Sequence, residues 1–326
     1  MNIVLVAEEA AGVQTLRAIA GTAHRVSAVL SSQRGGFRGA TVADVATQLG
    51  IEVWRPELVR TPELAKMLRA RQVDLLLNVH SLFVIHPDVL RAARIGSFNL
   101  HPGALPRYAG LNAPSWAIFR GETSHAVTVH WMSARIDDGA IAYEATFGLG
   151  EDDTGLSVSV KCVRLGVALL RQLITTAAAG PGAIPAREQD AALRRYHGRT
   201  VPNGGMIDWS RSAGEVTRFV RACDYGPLPS PWGSPLARLG GQTLRIVAVS
   251  RTGRECAVPP GTIGRMADGS PVVATADEWV RIDRSRVDGR LVDARAVLTS
   301  GQRLEYRREA GGAVQAGALP VLGQGE

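Results

Sequence analysis

The chain has 326 residues, 45% of them apolar and 21% charged, a length that suits two domains and a composition that can bury a core in each. Three widely spaced cysteines (Cys162, Cys223, Cys256), odd in number and without a CxxC pair, argue against a disulfide framework and a structural zinc site. The net charge of +7 comes almost wholly from arginine, Lys66 and Lys161 being the only lysines, and it is spread without a dense run. Most of these arginines therefore read as solvated faces and not as a dedicated nucleic-acid patch.

Met1–Ala7 lacks a basic start and runs into Glu8 and Glu9, so it reads as a buried strand and not a signal peptide. No stretch reads as approaching the ~18 apolar residues of a membrane span, and a cytoplasmic protein is expected. After a strand at Ile3–Val6 comes a helix over about Gly12–Ala20, a strand at Val26–Leu30 and a glycine-rich loop, 33–39. Thr41–Leu49 has helical spacing, Ile51–Trp54 is a short strand, Pro62–Arg71 a helix, Val73–Val79 a strand and Phe98–Leu100 another. Strands without clean alternation, interleaved with helices, predict an α/β, Rossmann-like and mostly parallel sheet whose ligands sit beyond the carboxyl ends of the strands. Val127–Met132 and Ile141–Phe147 extend that sheet, and a helix follows over about Gly155–Ala177. A polar connector, 187–205, leads to a helix at Ala213–Ala222 and short strands at Leu244–Val249, Gly261–Met266, Val272–Thr275 and Trp279–Asp283. Those strands, broken by Gly and Pro, predict a small β-barrel. The expected domains are 1–200 and 206–308, with 309–326 a disordered tail.

The chemistry concentrates in the segment Phe98–Gly110. Asn99 and His101 lie two apart at a strand end, so both side chains point to one side. The first offers an amide donor, the second a group that titrates near neutrality. Asp137, 36 positions after His101, stands in a turn behind an apolar β segment. Acyl transfer between nitrogens needs a donor for the oxyanion, a base for the attacking ammonium and an acid for the leaving nitrogen. Asn99, His101 and Asp137 can supply these without a covalent intermediate, and neither a G-x-S-x-G nor a nearby cysteine offers a nucleophile. Asp138, beside Asp137, is the alternative carboxylate.

Asn99 to Gly110, with Gly121-Glu122, Val127–His130 and Asp137-x-Gly139-x-Ile141, resembles the folate-dependent formyltransferase family. That family includes the methionyl-tRNA, glycinamide ribonucleotide and amino-sugar enzymes. The resemblance spans roughly residues 1–310 and implies that Asn99, His101 and Asp137 are catalytic. It implies 10-formyltetrahydrofolate as co-substrate, no metal, and a primary amine as acceptor. By the same resemblance the pterin is cradled by Leu82, Phe83, Val84 and Ile85 together with Asp138, Gly139 and Ala140. The acceptor side would include Gly103, Tyr108, Gly110, Leu111, Asn112 and Trp116. Ile207-Asp208-Trp209, Pro260–Ile263 and Leu298 with Gly301–Leu304 resemble the family's appended OB-like barrel. Gly103 and Ala104 depart from the family's usual serine and leucine, which implies a reshaped acceptor side. Leu111–Trp116 is similar to formyltransferases of secondary metabolism, which implies a small-molecule amine or, with another donor, formimino transfer.

Two other acceptors follow from the same resemblance: initiator tRNA, contacted through Arg34 and Arg38 and the second domain, or water, in a folate hydrolase. A homodimer is common among the related sugar enzymes. Of the remaining histidines, His80 and His86 flank the folate loop, His130 reads as packing or support, and His125 and His197 read as surface. Trp209, Trp232 and Trp279 read as core. His80, His101, His130 and Asp137 lack the spacing of recognised zinc motifs.

Overall fold

A computed structural model describes residues 1–32 and 39–305. Arg34, Arg38 and the expected tail, 309–326, lie outside the described residues. Two compact units divide the chain: residues 1–113, 124–148 and 159–196 form one, and 114–123, 149–158 and 197 onward the other. Two inner segments thus group with the second unit, a division that a single cut near residue 200 does not give.

The first unit is built on β1 (Asn2–Ala7), β2 (Arg25–Leu30), β3 (Val53–Trp54), β4 (Leu75–Val79) and β5 (Gly96–His101), then a short β6 (Ala109–Gly110), β7 (Ser124–Trp131) and β8 (Ile141–Gly148). Sheet order is β3-β2-β1-β4-β5-β7-β8. The first five of these strands run parallel, and β7 and β8 run antiparallel at one edge. Between parallel strands stand α1 (Glu9–Ala20), α2 (Val42–Gln48), α3 (Pro62–Ala70) and the short α4 (Pro87–Leu90). A capping box from Thr41 to Asp44 opens α2, and Pro62 starts α3 where its missing N–H costs nothing. Ile3, Val4, Leu5 and Val6 are fully buried, which explains a run without alternation: the sheet is covered on both faces.

α5 (Ala113–Arg120), not foreseen in the sequence, belongs to the second unit from Pro114 on. α6 (Gly155–Ala179) belongs to the first unit from Ser159 on. Contrary to expectation, it is long and apolar enough, by length and composition, to cross a membrane. Its apolar face is spent on the core: Cys162, Leu170, Leu173 and Ile174 are buried, and Gly166 lies so close to Leu100 that a Cβ there would stand 2.7 Å from Leu100 Cδ1.

In the second unit, β9 (Tyr196–His197) marks the junction and α7 (Ala213–Ala222) has the predicted limits, with a Ser212–Glu215 capping box. The sheet order is β10 (Leu236–Leu239), β11 (Gln242–Glu255), β14 (Glu278–Val287), β13 (Pro271–Ala274), β12 (Ile263–Arg265), with β15 (Arg290–Val292) on β14, all antiparallel. Arg303 bridges to Thr262 beside β12, and Glu305 bridges to Arg238 on β10, so one segment stitches both edges and curls the sheet into the expected barrel. A last short helix, α8 (Ala294–Val297), is capped by Asp293.

Candidate active site

Strand register assembles the site. Asn78 on β4 pairs with Asn99 on β5, and Asn99 pairs with His130 on β7, which puts three polar side chains in one row across the sheet. Asn78 Nδ2 donates to Asn99 Oδ1 at 2.8 Å, and Asn99 Nδ2 lies 3.0 Å from His130 Nε2. His130 Nδ1 is 2.8 Å from the Trp131 carbonyl, which can only accept. His130 thus carries its proton on Nδ1 and takes the Asn99 N–H on Nε2. His101, two residues beyond Asn99 on the same face, sits opposite Thr128.

Asp137 closes the cluster from a turn. Its φ of +51° is held by Gln189 Nε2 and Arg194 Nη1, which donate to its carbonyl at 3.1 and 3.0 Å. The carboxylate accepts the Gly110 N–H at 2.8 Å and Asn99 Nδ2 at 3.2 Å, and lies 3.4 Å from His101 Nδ1 and 3.3 Å from His130 Nε2. Burial raises its pKa, but His101, His130 and the Gly110 N–H outweigh that and hold it well below the usual carboxylate range. His101 Nε2 donates to the Tyr108 carbonyl at 2.6 Å. Nδ1, facing Asp137, is therefore where a second proton goes. Burial lowers the His101 pKa, with Asp137 and the Tyr108 carbonyl pulling the other way, so the ring rests neutral and able to accept.

Two glycines of the motif are explained by close approach. A Cβ on Gly139 would stand 1.9 Å from Trp131 O, the carbonyl that receives the His130 proton. A Cβ on Gly103 would stand 2.6 Å from His101 Nε2 and 2.9 Å from Tyr108 O. Gly103 therefore makes room for the histidine–carbonyl bond. Thr128 Oγ1 donates to the Gly103 carbonyl at 2.7 Å and pins the same turn.

The other expected residues divide. Leu82 and Val84 are 80% and 60% exposed, free to meet a ligand, whereas Ile85 is buried and Phe83 packs on the core under the Arg60 guanidinium. Asp138 turns away to Arg135 and Arg194, at 3.5 and 3.7 Å. Ala140 offers its carbonyl to the Trp131 N–H at 2.9 Å. Leu111 and Asn112 are half-buried, Asn112 at φ +58°. Tyr108 contributes its carbonyl, for its ring is buried edge-on against His125. Trp116 packs with Phe119, Trp232 and His197 in the second unit, so what the structure gives it is a packing role. His86 Nδ1 caps α4 through the Asp88 N–H, and His80 Nδ1 lies 3.3 Å from Glu9.

His125 and His197 are corrections: both are buried, not surface. His125 stands between Tyr108 and Phe147 with Nε2 3.1 Å from Pro102 O, inside a β7 that starts three residues earlier than predicted. Asn78, Gln189 and Arg194 were missed. Asn78 had a signal, a lone amide among Leu75, Leu76, Leu77 and Val79, whereas Gln189 and Arg194 lie in the polar connector with none. Asn78 Oδ1 is buried and makes no hydrogen bond among the described residues, at a cost of about 1–3 kcal/mol. Among those residues no group of three His, Cys, Asp or Glu side chains is arranged to hold a metal.

An amide, an imidazole and a carboxylate within hydrogen-bond reach suit proton transfer around a carbonyl carbon. The profile of the formyl transferase family matches residues 2–174, and that of the formyl transferase C-terminal domain matches 200–301. A methionyl-tRNA formyltransferase from Sorangium cellulosum is 29% identical over 303 residues, 91% of this chain and 95% of the relative. One from Geobacter metallireducens is 27% identical over 261 residues, 80% of this chain and 81% of the relative. Among solved structures, an N-formyltransferase from Helicobacter canadensis, in complex with folinic acid and dTDP-3-aminofucose, shares the fold at 16% identity with a TM-score of 0.65, covering 86% of this chain and 98% of its own. WlaRD, a sugar 3N-formyl transferase, does so at 15% identity and a TM-score of 0.66, covering 89% and 99%. With more than half its length matched by one profile and the barrel by a second, this chain belongs to the family of folate-dependent formyl transferases.

Proposed function

We propose that the chain moves a formyl group from 10-formyltetrahydrofolate to the primary amine of a small molecule, directly and through a tetrahedral intermediate. The observation that carries this is the meeting of Asn99, His101 and Asp137 around one point, with both imidazole nitrogens of His101 already given distinct tasks. The folate supplies the formyl group, and exposed Leu82 and Val84 suit one wall of a pterin site. Neutral His101 takes the proton of the attacking ammonium on Nδ1, beside Asp137, which stabilises the resulting cation. Asn99 donates to the carbonyl oxygen as it becomes an oxyanion. Both of its N–H groups are engaged by His130 and Asp137, so one must turn from its acceptor to do this.

Against a phosphate-bearing acceptor stand Glu8 and Glu9. They lie where α1 begins, between the ends of β1 and β4, the place where open α/β sheets commonly receive a phosphate. Glu8 is fixed there by Ser31 and Ser32, and Glu9 by His80. This favours an amine acceptor without a phosphate, such as an amino acid or natural-product intermediate. The second reading, methionyl-tRNA formyltransferase, is favoured by the two full-length relatives.

The experiment is a mass-spectrometric screen of amines with 10-formyltetrahydrofolate, read as the gain of one formyl unit, with methionyl initiator tRNA included as an acceptor. Formylation of a small amine supports the proposal. Formylation of the tRNA alone replaces it with the second reading.

A further inference from the structure

We propose that Asn78 is a positioning residue: it fixes which way round the Asn99 amide stands, and so whether Asn99 presents N–H or C=O to the reacting carbonyl. The inference rests on reading Asn99 as the oxyanion donor. An asparagine amide has nearly the same shape after a half-turn, so packing alone does not choose between the two orientations; the partners on each side must. On one side the choice comes through His130. The Trp131 carbonyl takes the Nδ1 proton, which leaves Nε2 to accept from Asn99 Nδ2 at 3.0 Å. On the other side Asn78 Nδ2 donates to Asn99 Oδ1 at 2.8 Å. Donors and acceptors run in one direction from Asn78 to Trp131.

The two clamps differ in one respect. His130 Nε2 is also 3.3 Å from Asp137 Oδ1. A proton arriving there makes His130 a donor to Asp137, and it then repels the Asn99 N–H it had been holding. Proton transfer is the work of this cluster, so the His130 clamp is conditional. Asn78 does not titrate. It holds the Asn99 carbonyl through every protonation state of the neighbours, keeping the NH2 end toward Asp137 and the site. Asn78 is 8% exposed, its Oδ1 accepts no hydrogen bond among the described residues, and its strand neighbours Leu75, Leu76 and Leu77 are fully buried. A leucine of nearly the same outline would remove the unmet Oδ1 but would take from Asn99 Oδ1 the donor it has, so what the amide supplies here is that one directed bond.

The test compares Asn78→Leu, Asn99→Ala and the double variant in the full-length enzyme. Turnover is read as tetrahydrofolate released from 10-formyltetrahydrofolate, both with an amine from the screen and with water alone as acceptor. Asn78→Leu, which takes from Asn99 Oδ1 its donor, is expected to leave KM for the folate unchanged and to lower kcat about 10- to 100-fold. In the Asn99→Ala background it is expected to change kcat no further, because it acts through Asn99. If Asn78→Leu does not fold, Asn78→Asp, of the same shape but with no N–H to give, is expected to lower kcat at least as far. Full kcat in either folded variant, or losses that multiply in the double, would overturn the proposal. Full kcat in Asn99→Ala would instead overturn the oxyanion reading beneath it.

Discussion

At the scale of residues, the site is a set of groups whose protonation is chosen by burial and by fixed carbonyls. His101 is the clearest case. With Nε2 committed to the Tyr108 carbonyl and burial lowering its pKa, it is a base at neutral pH through Nδ1 alone. The acid limb of kcat/KM is therefore expected below the ordinary histidine value of 6.5. Asp137 raises the His101 pKa, so Asp137→Asn should move that limb lower still while reducing kcat; a pH–rate profile of both proteins checks it. The same shift has a consequence for stability. A histidine whose folded pKa lies below its unfolded one favours folding fully above about pH 6.5, and that contribution is lost as pH falls. Melting between pH 7.5 and 5 should fall more steeply in the wild type than in His101→Gln. Removing the Asn99 donor is expected to lower kcat about 10²–10³-fold. Asp138, paired with two arginines at the surface, carries no such load, so Asp137→Asn should be far worse than Asp138→Asn.

At the scale of elements, register and two close approaches place those groups. Strands β4, β5 and β7 align Asn78, Asn99 and His130, and a slip of one residue would turn all three to the other face. The Asp-x-Gly turn reaches the row because Gly139 lets the Trp131 carbonyl sit where a side chain would begin. Gly139→Ala must displace the turn that presents Asp137. A loss of stability of roughly 1–3 kcal/mol is expected, together with loss of turnover, read by thermal melting and by assay. Gly103→Ala acts on one contact: its Cβ would press on His101 Nε2 and part it from the Tyr108 carbonyl. Turnover is expected to fall with the pH–rate profile displaced, since that carbonyl raises the His101 pKa.

At the scale of the whole molecule, the chain is two compact units with a spread positive charge. Without a dense basic run, tRNA binding at physiological salt is expected no tighter than the non-specific range of about 10⁻⁴–10⁻⁶ M, falling steeply with added salt; a salt titration of binding checks this. Much of the architecture was legible because local patterning sets it. Apolar runs gave the parallel strands, helical spacing gave α2 and α7, and the placement of Asn99, His101 and Asp137 gave the groups proposed to react, since residues two apart on a strand share a face. Partners distant in sequence left no local mark: which acceptor fixes the His101 proton, why Gly103 is glycine, and that Gln189 and Arg194, more than fifty residues on, hold Asp137 in its turn. His125 looked polar enough for a surface, yet folding buries it between Tyr108 and Phe147. The sequence by itself determined most of the elements and the three groups proposed to react, because periodicity and strand geometry are local. Only the tertiary structure decided their hydrogen-bond polarity, because a donor's direction depends on what lies across the sheet.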